Sequence, residues 1–209
     1  SNCLEEFLEN ITTSLTKFFR TESDFQILQK YVLPNILKQK KNGEMIRIWC
    51  AGCSTGEEAY SIATTCLETE NIKEGDIKIF ATDLSLNSII TAKEGKYDIE
   101  KIENVPKKYL KKYFDKLSDG RYSVKNNIRD LITFDCHNLM HRFMQYNIDI
   151  IFCRNVLIYF DNESVKLTVN RFYDILNRNG FLFIGHTESL FGLDTKFKFV
   201  NINNSTVYM

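Results

Sequence analysis

Residues 45–63, MIRIWCAGCSTGEEAYSIA, decide the reading of the fold. Ile46, Ile48 and Trp49 are strand formers, so the stretch opens as a short buried strand. Ala51 to Gly56 are all small, which lets backbone approach a ligand closely. Ser54 and Glu57 have the spacing of a capping box, with Ser54 as N-cap of a helix from about Ser54 to Glu70. Strand, small-residue turn and helix start form the usual cradle for a nucleotide-like cofactor in an open α/β sheet. The G-x-x-x-G spacing of Gly52 and Gly56 departs from the dinucleotide G-x-G-x-x-G pattern, and an ordinary strand-to-helix turn is the equal alternative.

Downstream, strand and helix patterns alternate. Asp76–Thr82 is a second strand ending at Asp83, where α/β cofactor folds hold ribose hydroxyls or where a helix N-cap would sit. Residues 86–112 are lysine-rich and helical in two pieces. Residues 113–134 carry Ser-Asp-Gly between two half-alternating runs, a hairpin signal. Asn147–Cys153 is a buried strand with Arg154, Asn155 and Tyr159 beyond its carboxyl end, the edge at which open sheets bind ligands. A helix capped by Asp161 or Asn162 follows, then the strand Phe181–Ile184, the turn Gly185–Glu188 and two final strands. This order predicts a doubly wound α/β sheet with a small antiparallel excursion over about 113–134. Upstream, residues 1–40 form an N-terminal helical segment, with one helix through Leu4, Phe7, Leu8 and Ile11. A second begins near Ser23 and Asp24 and breaks near Pro34. Residues 41–209 form the main domain.

The totals exclude several classes. Lysine plus arginine and aspartate plus glutamate both number 27, so no global charge favours nucleic acid or a membrane surface. No uncharged apolar run nears the ~20 residues of a membrane span, and no signal peptide is expected. Six scattered cysteines suit reduced thiols in a cytoplasmic protein. Trp49-Cys50-Ala51-Gly52-Cys53 resembles a thioredoxin-type W-C-x-x-C. That chemistry needs its first cysteine at a helix N-terminus, and Cys50 falls at a strand end. A zinc pair at Cys50 and Cys53 lacks two further ligands, so no metal is expected.

Taken together, the pieces resemble one family. Ser14–Arg20 is similar to its N-x-T-x-F-F-R motif, and Cys50–Ala63 to its loop ending S-T-G-E-E-x-Y-S-I-A. Ala81–Leu84 resembles its A-T-D, Phe152–Asp161 its F-C-R-N-V-[LM]-I-Y-F-D, Gly185–Glu188 its G-H-[ST]-E, and Thr206–Tyr208 its T-V-Y. These are the motifs of the chemotaxis receptor protein-glutamate methyltransferases (CheR type), and the likeness covers nearly the whole chain. The resemblance implies a class I methyltransferase with a mostly parallel, Rossmann-like sheet that uses S-adenosylmethionine. It also implies a helical domain ahead of the catalytic one, of which residues 1–40 would be the end. Ser14, Thr16 and Arg20 would contact the polar end of the cofactor, with Ser14 in place of the family's asparagine. Glu58 would also bind it, Asp83 would take the ribose hydroxyls, Asn138 and Leu139 would flank the adenine, and Arg154 and Asn155 would line the methionine side.

The implied reaction esterifies a glutamate side chain on the cytoplasmic helices of a chemotaxis receptor. Glutamate is already ionised, with an ordinary pKa near ~4.3, so no general base is required. Arg20 and Tyr159 are the expected catalytic pair that steers the acceptor carboxylate. The expected protein is a monomer, binds no nucleic acid and does not insert into the membrane. The 113–134 excursion would hold a receptor tail by strand addition, or its basic residues would meet an acidic receptor helix. A methyltransferase of another acceptor and a cofactor-sensing binding module are the alternatives.

Overall fold

A computed structural model describes residues 16–41, 43–202 and 205–209. The helix expected from Leu4 and the site residue Ser14 lie outside these residues.

Seven strands form the main sheet in the order β6-β2-β1-β7-β8-β10-β9. They are β1 (Ile46–Ala51), β2 (Ile77–Asp83), β6 (Ile132–Cys136), β7 (Ile148–Cys153), β8 (Leu176–Ile184), β9 (Phe199–Ile202) and β10 (Ser205–Tyr208). The first five run parallel, and β10 is antiparallel to both its neighbours. β1 lies at the centre, with Ile48 opposite Ile79 on one side and Ile150 on the other. Successive strand side chains point to opposite faces. Ile46, Ile48 and Cys50 enter one core, while Trp49 and Ala51 enter a second on the far side. Both faces are covered, which is why β1 and β7 read as nearly continuous apolar runs.

The first core packs against helices α1 (Glu22–Ile27), α2 (Leu33–Gln39) and α3 (Glu57–Leu67). The second packs against α8 (Asn162–Ile175), whose N-cap Asp161 accepts the Ser164 amide at 2.8 Å. Between β2 and β6 run α4 (Leu86–Glu94), α5 (Ile99–Ile102), α6 (Lys107–Tyr113) and α7 (Asn126–Arg129).

Three expectations are corrected. Pro34 does not break its helix: the chain stays helical from Glu22 to Gln39 through a π-helical turn at Leu28–Val32. Proline lacks an amide for the i→i−4 bond, and the widened turn just before it accommodates that gap. Ser54 is not the N-cap of α3. Gly56 takes that place at φ +97° with no side-chain cap, and α3 begins at Glu57 rather than Ser54. The Ser54 amide is instead held by Asp83 Oδ2 at 2.7 Å. The small antiparallel sheet contains β3 (Lys96–Tyr97) as well as β4 (Phe114–Lys116) and β5 (Tyr122–Val124), in the order β3-β5-β4, whereas residues 132–136 run in the main sheet. Among the described residues, no helix is long and apolar enough to cross a membrane.

Candidate functional site

The sheet order places the site. From β1 the chain winds outward through β2 to β6, then returns to β7 on the other side of β1. The carboxyl ends of β1 and β7 therefore flank the switch point, where open sheets form a ligand crevice. The turn after β1 is pinned to its neighbours. The Gly52 and Cys53 amides both donate to the Thr82 carbonyl, at 2.8 and 2.9 Å. The Tyr97 hydroxyl donates to the Thr55 carbonyl at 2.6 Å. Gly52 sits at φ +88°, and a Cβ there would overlap the Val156 side chain of the turn after β7. The two turns thus meet over a residue that has no room for a side chain.

Beneath them lies a buried charge cluster. Arg154 Nη1 meets Glu58 Oε2 at 2.8 Å, and Arg154 Nε lies 3.1 Å from Asp24 Oδ2. Arg154 Nη2 donates to the Arg20 carbonyl at 2.9 Å. His186 Nε2 reaches Asp24 Oδ1 at 3.3 Å, and the Cys50 thiol donates to Glu58 Oε1 at 3.4 Å. The Arg154 side chain is 1% exposed, so its charge is compensated by these partners rather than by water. Burial pushes both the Asp24 and the Glu58 carboxyls above the usual carboxylate range, although Arg154 pulls each of them down.

Thr16, Arg20, Glu58, Arg154 and Asn155 line one cleft with Gly52. Aromatic packing brings Thr16–Arg20 there: Phe18 stands edge-on to Tyr97 and Phe114, with ring centroids 5.0 and 5.5 Å away. The Phe19 amide donates to Ser61 Oγ of α3 at 2.9 Å. Asp83 closes β2 beside the same turn. Its Oδ2 holds the Ser54 amide and its Oδ1 the Ser85 amide at 3.0 Å, while Ser85 Oγ caps α4. Of the two roles open to Asp83, helix cap is thereby removed.

Asn138 and Leu139 follow β6, and the preceding His137 amide donates to the Asp83 carbonyl at 2.9 Å. Asn138 Oδ1 accepts the Met140 amide at 2.9 Å. Leu139 turns its side chain into the second core with Trp49 and lines a separate gap against α8, not the cleft. Tyr159 lies on the short 3-10 turn Leu157–Tyr159, half exposed, outside the residues that line the cleft. Sequence reasoning missed Asp24, which reads as an ordinary acidic residue of a helix start. It also missed the closeness of Gly52 to Val156, and any part for His186 or Glu188, although their motif was visible.

S-adenosylmethionine carries a positive sulfonium, and the buried cluster suits it. The buried Asp24 carboxylate and the partly buried Glu58 carboxylate face one buried guanidinium, with the half-exposed His186 at the edge. A ligand cation would act as Arg154 does on both acids, its charge opposing the upward push of burial. Asp83 has lone pairs beyond its two amide bonds for ribose hydroxyls. The thiols do not suit redox chemistry: Cys50, Cys53 and Cys153 are buried, and burial pushes all three well above the usual thiol range.

Residues 14–206 match the family described as CheR methyltransferase, SAM binding domain. A chemotaxis protein methyltransferase of Borreliella burgdorferi is 39% identical over 196 residues, covering 90% of this chain and 69% of that protein. Chemotaxis protein methyltransferase 2 of Vibrio cholerae is 37% identical over 209 residues, covering 98% and 72%. The crystal structure of the DszA carbon methyltransferase shares the fold at a TM-score of 0.51 and 17% identity, covering 78% of this chain and 35% of that one. With residues 14–206 matched by the family model and relatives 37–39% identical over nearly the whole chain, the chain belongs to the CheR methyltransferase family and carries its S-adenosylmethionine-binding domain.

Proposed function

We propose that the protein methylates glutamate side chains on the cytoplasmic helices of a chemotaxis receptor, using S-adenosylmethionine. The observation that carries this reading is the convergence of Thr16, Arg20, Glu58, Arg154 and Asn155 on one cleft at the switch point of the sheet. The bound cofactor supplies an electrophilic methyl group on its sulfonium. Thr16, Arg20, Glu58, Arg154 and Asn155 would hold its methionine end, Asp83 its ribose, and Asn138 and Leu139 would flank its adenine. Arg154 works through its neighbours, holding Glu58 and the Arg20 carbonyl in place. Ser14 extends the first group. No general base is needed, because the acceptor carboxylate arrives ionised. Arg20 and Tyr159 steer that carboxylate. The small sheet β3-β5-β4 offers edge strands for a receptor tail, and its basic residues suit an acidic receptor helix. The protein works as a monomer in the cytoplasm, and the segment from Thr16 to Gln39 belongs to the catalytic unit with the sheet domain, since Thr16 and Arg20 line the cleft and α1 and α2 pack on the first core.

Labelled S-adenosylmethionine mixed with the protein and candidate receptors should leave label on the receptor that base releases, as a methyl ester requires. Cofactor binding without transfer, or base-stable label on another acceptor, contradicts the proposal. Tyr159→Phe removes one oriented hydrogen bond, so turnover should fall about tenfold while cofactor affinity stays within about twofold. Equal turnover in the two proteins rules out a steering role for the hydroxyl.

A further inference from the structure

The roles above leave Glu188 unused, although its side chain reaches the cleft wall. Glu188 Oε2 accepts the Asn155 amide at 3.0 Å and the Gly185 amide beside it. Glu188 Oε1 accepts the Ile158 amide at 3.2 Å. One carboxylate therefore ties both ends of the turn that leaves β7. The first oxygen holds Asn155, whose φ of +60° lies in the left-handed region that most side chains avoid. The second holds the 3-10 turn Leu157–Tyr159 through its middle residue. Gly185 makes the approach possible. A Cβ there would lie 2.8 Å from Glu188 Oε2 and 3.0 Å from the Asn155 amide and side-chain nitrogens. The turn is closed from the other direction by the Glu188 amide, which donates to the Gly185 carbonyl at 2.9 Å.

We infer that Glu188 is a positioning residue for methyl transfer, with its two oxygens serving two functions: Oε2 sets Asn155 against the cofactor, and Oε1 sets Tyr159 against the acceptor carboxylate. This rests on the methyl-transfer reading above. The two oxygens can be separated by mutation. In Glu188→Gln a single carbonyl oxygen remains, and it belongs where two amides converge, at the Oε2 position. The new amide NH₂ then faces the Ile158 N–H, donor against donor, and only the Tyr159 turn is released. Glu188→Ala releases both.

The experiment measures kcat with receptor, the dissociation constant of S-adenosylhomocysteine, and the melting temperature for wild type and both variants. Glu188→Gln should lose about tenfold in kcat and keep affinity within about twofold, whereas Glu188→Ala should lose about tenfold in both. Unchanged kinetics in both variants overturn the inference. So does an equal loss of kcat and affinity in both that follows the melting temperature, since that is what a merely structural carboxylate gives. Wild-type protein that transfers no methyl group to receptor defeats the proposed function instead. The affinity titration then still judges the Asn155 branch, because equal dissociation constants for the two variants overturn it.

Discussion

Arg154→Ala should destabilise the protein by about 3–5 kcal/mol, the usual cost of breaking a buried ion pair from one side. Arg154 touches Asp24, Glu58 and the Arg20 carbonyl, and its guanidinium lies 5.9 Å from the centre of the Phe25 ring. Its removal leaves the buried Asp24 and the partly buried Glu58 without their cation. Urea unfolding at neutral pH should show the loss, and melting should move down by about 10 °C. The deficit has a direction in pH. Burial already raises the folded-state pKa of Asp24 and Glu58, and both rise further without Arg154. A group whose folded pKa is raised favours the folded state when protonated, and that contribution is lost as pH rises through the folded value. The gap between variant and wild type should therefore be widest at about pH 7.5 and narrow towards about pH 5. His186 faces Asp24 at 3.3 Å, and the Cys50 thiol facing Glu58 stays neutral, pushed up by burial. Combining Arg154→Ala with Asp24→Asn and Glu58→Gln should recover much of the loss, because no uncompensated charge is then buried. Identical unfolding midpoints for Arg154→Ala and wild type would remove the buried ion cluster from the account.

Asp83→Ala should weaken cofactor binding by at least about 100-fold, from the loss of two hydrogen bonds between a charged group and the ribose. Asp83 also clamps the turn after β1 to the start of α4, through the Ser54 and Ser85 amides. Both effects act in one direction on affinity, so a second comparison separates them. Wild type should prefer adenosine to 2′,3′-dideoxyadenosine, and Asp83→Ala should bind the two alike by calorimetry. A variant that keeps the wild-type preference would show that Asp83 only holds the turn.

Much of this site was legible before the fold. The strand β1 and its small-residue turn stood out because buried parallel strands are apolar on both faces and glycines mark close approach. Asp83 and the pair Arg154-Asn155 were legible because each stands at the carboxyl end of an apolar strand run. The Ser54 cap was misread because capping patterns describe an isolated helix start. Here Asp83, on another strand, captured the Ser54 amide first, and the helix began after Gly56. Pro34 was misread because a proline rule assumes α-helical register, which the turn at Leu28–Val32 abandons.

The sequence by itself determined the alternation of strands and helices, the turn that approaches the cofactor and the residue types available at each strand end, since these are local properties of spacing and side-chain chemistry. Only the tertiary structure decided which of them act together. Asp24 meets His186 across 162 positions, and Glu188 reaches back 33 to hold Asn155. Such pairings are set by the order in which strands enter the sheet and by the need to compensate buried charge, and neither leaves a periodic trace along the chain.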